Sequence, residues 1–74
     1  MKEIIDILNE VKPGVDYENE GHLISDGIIT SFDLVLLVSL LNDRLGVNIT
    51  VVDLIPENFE SVKDIENLIN RLED

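Results

Sequence analysis

The 74-residue chain is long enough for one domain, 1–74, and no more. Five basic side chains stand against sixteen acidic ones, a formal net charge of −11, which repels phosphate backbones and anionic headgroups and points instead to basic protein partners. Forty-five per cent apolar residues are too many for an acidic disordered tail, and the absence of cysteine excludes disulfides and thiolate chemistry.

Ile4, Ile5, Leu8 and Val11 share one helical face, which predicts a first helix from Lys2 to Lys12. Pro13-Gly14 ends it, because proline cannot continue a helix. Residues 13–30 hold three glycines and no long periodic pattern. Val15, Tyr17, Leu23, Ile24, Ile28 and Ile29 offer apolar anchors there, so a structured loop is expected.

Thr30-Ser31-Phe32-Asp33 opens a second helix, with Thr30 as N-cap and Asp33 three residues later in a capping-box arrangement. Leu34, Leu37, Val38, Leu41 and Leu45 then form a core-facing stripe, and Gly46 closes it as the C′ residue. Thr50-Val51-Val52-Asp53 repeats the capping pattern before a short helix that Pro56 terminates. Ser61 to Asp64 repeats it again ahead of a last helix carrying Val62, Ile65, Leu68, Ile69 and Leu72. Val47-Asn48-Ile49 is too short to build a sheet. The expected class is all-α, a bundle of three longer helices and one short helix with a long first loop.

The longest apolar stretch, Leu34 to Leu41, contains Ser39 and stops at Asn42-Asp43, short of the roughly 18 residues a membrane span needs. Acids at Glu3 and Asp6 interrupt what would be the apolar part of an export signal, so the expected location is the cytoplasm.

Ser31 lies in the first turn of the most hydrophobic helix, where free N–H groups and the positive end of the macrodipole favour an attached phosphodiester. On helix geometry alone the plainer reading is that Ser31 does no more than assist capping, since Ser and Thr pairs are common at helix starts. The run Asp26-Gly27-Ile28-Ile29-Thr30-Ser31-Phe32-Asp33, preceded by Leu23-Ile24, resembles the modification site of acyl carrier proteins. The order of helix, long loop, serine-led helix, short helix and final helix extends the resemblance over nearly the whole chain. Glycine and two isoleucines before the serine look closest to stand-alone carriers, including D-alanyl carrier proteins.

The resemblance implies an acyl-carrier-like four-helix bundle, and a carrier rather than an enzyme. Ser31 would bear 4′-phosphopantetheine, loaded from coenzyme A by a phosphopantetheinyl transferase using a divalent metal. The arm's thiol would hold acyl or aminoacyl cargo as a thioester, received from a loading ligase and passed to synthases or transferases. Two departures are visible: Thr30 stands where the family most often has Asp, and the second helix is poorer in acids than in many fatty-acid carriers.

The core stripe leaves Phe32, Val35, Leu36 and Ser39 on or near the free side of the second helix, a candidate partner patch with Asp26 and Asp33 steering basic proteins. Burial of that patch under the long loop is the other reading. Glu57, Glu60, Asp64 and Glu66 read as solubility charges, Ser25 as a turn residue and His22 as a surface residue. Asp16, Glu18 and Glu20 mimic half of a calcium loop, whose closing glutamate is replaced by Gly27. A monomeric carrier is the expectation. The rival from another class is an unmodified acidic module that docks a basic partner through the second helix.

Overall fold

The computed structural model describes residues 2–73. Three α-helices, α1 (Lys2–Val11), α2 (Ser31–Leu45) and α3 (Val62–Glu73), pack around one core, and the described residues contain no strand. Two 3-10 turns, Val51–Asp53 and Pro56–Asn58, occupy the place of the expected short helix. The all-helical class therefore holds, with three helices rather than four. The physical reason lies in Pro56. It has no N–H to extend a helix begun at Thr50, and its ring restrains Ile55 to an extended backbone.

The core gathers Ile4, Ile7 and Leu8 of α1, Leu37 and Leu41 of α2, and Ile65, Leu68 and Ile69 of α3. Tyr17, Leu23 and Ile29 come in from the first loop, with Val47, Ile49 and Phe59 from the segment between α2 and α3. Three expectations are corrected here. Ile7 is buried where Ile5 is only half-buried, Leu72 is exposed, and Leu34, Val38 and Leu45 sit at the margin of the core. Val47 and Ile49 are core residues in an extended segment without a sheet, so their apolar character serves packing.

The first loop is structured, as its apolar anchors suggested. The Tyr17 hydroxyl reaches the Lys12 carbonyl just past the end of α1, and also lies 3.3 Å from the Leu8 carbonyl, which already accepts the Lys12 N–H at 2.8 Å, so a loop residue ties itself to the end of the helix. Gly46 closes α2 at φ 67°, a left-handed conformation that glycine adopts without a Cβ penalty, and its N–H donates to the Asn42 carbonyl at 3.2 Å. Arg44 pairs both its terminal nitrogens with the Glu10 carboxylate, joining α2 to α1 across the surface. No helix among the described residues is long and apolar enough to cross a membrane.

Candidate functional site

The site is built on the first turn of α2. Thr30 has an extended backbone, φ −83° and ψ 171°, and its Oγ1 accepts the Asp33 N–H at 3.2 Å. In return the Asp33 carboxylate accepts the Thr30 N–H at 3.1 Å and the Thr30 hydroxyl at 3.0 Å. The reciprocal box therefore forms with Asp in the third position, and it fixes where the helix starts. The Thr30 N–H and then its hydroxyl hold the Asp33 carboxyl below the ordinary carboxylate range, with the Lys12 charge acting in the same direction.

Ser31 follows the cap as the first helical residue and is exposed. The capping work falls to Thr30, and among the described residues no side chain hydrogen-bonds the Ser31 hydroxyl. What α2 provides is the positive end of a 15-residue helix, which favours a negative group esterified there.

A cleft of about 210 Å³ opens beside this serine, lined by Ile24, Gly27 and Ile29 from the loop and by Thr30, Ser31 and Leu34 from α2. Gly27 adopts φ 71°, so the loop can reverse there and bring Ile29 back toward the helix start. Asp26 is exposed in the same turn, outside the cleft lining.

Phe32, Val35, Leu36 and Ser39 recur at i, i+3, i+4 and i+7 and are all exposed, so the loop does not cover this face. Phe32 is 85% exposed, Val35 66% and Leu36 47%, a gradient running from the tip of the helix toward its packed side. Val51, Val52 and Ile55, around the first 3-10 turn, are further exposed apolar side chains that the sequence reading did not single out.

Three of the acids assigned to solubility have partners, Glu66 meeting the Lys63 ammonium at 3.4 Å on the surface of α3. Asp64 forms a second capping pair, its N–H donating to Ser61 Oγ at 3.1 Å while the Ser61 hydroxyl donates back at 3.0 Å. Glu60 binds the loop instead. One of its carboxylate oxygens accepts the Ile24 and Ser25 N–H groups, each at 3.0 Å, and the other accepts the Ser25 hydroxyl. Ser25 is thus the turn residue expected, but a tethered one. No short-range pattern could have disclosed a contact between residues 25 and 60.

His22 is exposed, and Asp16 is engaged locally by the Asn19 amide at 2.8 Å. Among the described residues no three metal-ligating side chains converge. Comparison with protein-family models, with curated proteins and with solved structures finds no match.

Proposed function

We propose that this chain is a carrier protein whose Ser31 bears a phosphopantetheine arm, in the manner of the acyl carrier proteins that its sequence resembles. The observation that carries the reading is the Ser31 hydroxyl. It is exposed at the positive end of α2 and has no side-chain partner among the described residues, because the neighbouring Thr30 does the capping. The donor set fits such a group: a hydroxyl to esterify, a helix start to receive the phosphodiester charge, and an adjoining cleft with apolar walls for the proximal part of the arm.

On this reading the fold is an acyl-carrier-like bundle in which the two 3-10 turns take the place of the short helix. A phosphopantetheinyl transferase would esterify Ser31 Oγ from coenzyme A, with the serine proton passing to the transferase and adenosine 3′,5′-bisphosphate leaving. When bound, the arm supplies the thiol that holds acyl or aminoacyl cargo. The chain's own residues hold the attachment point rigid through the Thr30–Asp33 box and keep it accessible. The exposed face of Phe32, Val35, Leu36 and Ser39, with Asp26 and Asp33 beside it, is the proposed docking surface for the transferase, a loading ligase and downstream enzymes in the cytoplasm.

The test is intact mass after incubation with coenzyme A, Mg²⁺ and a broad-specificity transferase. The chain should gain one phosphopantetheine, Ser31→Ala should abolish the gain, and Ser25→Ala should retain it. A chain that stays unmodified under several transferases, yet captures a basic partner through α2, would instead be an unmodified acidic docking module.

A further inference from the structure

The loop wall of the Ser31 cleft is pinned to the core by Leu23 and Ile29, and the peptide N–H groups that open its turn are paired by one residue distant in sequence, Glu60. Asp26 N–H donates to the His22 carbonyl at 2.9 Å and Gly27 N–H to the Ile24 carbonyl at 3.0 Å, so residues 22–27 coil through one helix-like turn. The first N–H groups of such a turn have no partner inside it. Here the Glu60 carboxylate accepts those of Ile24 and Ser25, together with the Ser25 hydroxyl, acting as a cap supplied from a distant part of the same chain. The Glu60 backbone carbonyl accepts the Leu23 N–H at 2.9 Å, and the Ile29 N–H returns to the Leu23 carbonyl at 2.9 Å. Ile24, Gly27 and Ile29, the residues that wall the cleft opposite Leu34, are therefore held through Glu60 and the turn it caps.

Glu60 itself is anchored between buried Phe59 and the Ser61–Asp64 cap of α3, so it is a fixed post rather than a wandering side chain. We infer that Glu60 is a positioning residue for the chemistry at Ser31: it latches the 22–29 turn so that the cleft beside the serine is already shaped when a transferase docks. This rests on the carrier reading of Ser31. Without the latch the turn has two unpaired N–H groups that water can claim, and the transferase must order the wall at its own expense.

The consequence falls on the Michaelis constant for the carrier rather than on turnover, since the serine and its helix start are unchanged. The experiment is steady-state loading of the full chain by the transferase with coenzyme A, with helix content followed by circular dichroism. In Glu60→Ala the KM for the carrier should rise about fivefold with kcat nearly unchanged, the scale expected when a docking site loses preorganisation. Glu60→Gln keeps an oxygen that can accept both N–H groups and should stay close to wild type. Glu60→Asp is one methylene short and should behave like Glu60→Ala. Glu57→Ala removes the same charge from an exposed position three residues away and should change nothing.

Amide exchange supplies a readout independent of loading: protection at Ile24, Ser25 and Gly27 should fall in Glu60→Ala while that of Leu37 and Leu41 persists. A wild-type chain that no transferase loads overturns the carrier reading and takes this inference with it. A wild type that loads, beside a Glu60→Ala that loads with unchanged KM or keeps its turn protected, overturns the latch alone. Equal KM increases in Glu60→Ala and Glu57→Ala would show that charge, not the latch, is being read.

Discussion

The side-chain amide of Asn42 pairs with both peptide groups of Ile49, its Oδ1 accepting the Ile49 N–H at 2.8 Å and its Nδ2 donating to the Ile49 carbonyl at 3.1 Å. One side chain thus does what a neighbouring strand would do, and the extended segment after Gly46 can bring Val47 and Ile49 into the core without a sheet.

Removing that amide should be costly for a partly buried surface residue. Asn42→Ala leaves a donor and an acceptor of Ile49 unpaired, and the loss should be about 1–3 kcal/mol. Asn42→Asp keeps the acceptor but loses the donor and should fall between the two. Urea unfolding measures both, with the midpoint lowered and the slope unchanged. A midpoint equal to wild type in Asn42→Ala would mean that water replaces the amide without penalty.

Tyr17 ties the first loop to the end of α1, and its phenol is buried. Tyr17→Phe keeps the ring in place and should cost about 0.5–1.5 kcal/mol, the net value of one such hydrogen bond. Burial, and secondarily the Asp33 charge, push the tyrosine pKa up. The folded state therefore holds the phenol proton more tightly than the unfolded chain. The hydroxyl's contribution is fully present below the unfolded value of about 10 and is lost as pH rises through the folded one. Thermal melts of wild type and Tyr17→Phe from about pH 8 to about pH 11 should converge at the alkaline end. A gap that stays constant over that range would show that the phenol titrates as freely as in the unfolded chain.

The legible part of this protein is the part whose signals are local. The Thr30–Asp33 cap, the stripe from Leu34 to Leu45 and the closing Gly46 lie within one helix and its two ends, so α2 and the position of Ser31 could be read directly. The same cap motif misled at Thr50. There it nucleates one turn, and the motif carries no information about how far a helix propagates before Pro56 stops it. Leu72 fits the apolar period of α3 yet lies in its last turns, beyond the reach of the core. Glu60 was opaque for a different reason. Its partners, Ile24 and Ser25, are distant in sequence, and an acid beside a helix start looks the same whether it faces water or two peptide N–H groups.

Acid should weaken the start of α2. The Asp33 carboxyl sits below its ordinary range because the Thr30 N–H and hydroxyl donate to it, so the folded state prefers it ionised. A depressed folded pKa gives stability that is present above the unfolded value and lost as pH falls through the folded one. Asp33→Asn cannot titrate. The difference in unfolding midpoint between wild type and Asp33→Asn should therefore be largest near neutrality and shrink below about pH 4. A difference that grows on acidification would reverse the sign of the argument and place the carboxylate outside the box.

Phe32 and Val35 test whether the exposed face of α2 serves docking or is merely tolerated. Both are mostly solvated, so truncation removes little packing, and Phe32→Ala with Val35→Ala should shift stability by no more than about 0.5 kcal/mol. Exposed apolar side chains clustered on one helix face are, however, what a partner desolvates, and aromatic anchors dominate such contacts. Under the proposed function the double variant should load with a KM for the carrier raised about tenfold while its melting temperature stays put. Truncating Phe32 alone should account for most of that rise, since it projects furthest into solvent at the turn that carries Ser31. Loading with wild-type KM would show that the transferase approaches from the loop side of the cleft, past Ile24 and Gly27, and leaves this face to other partners.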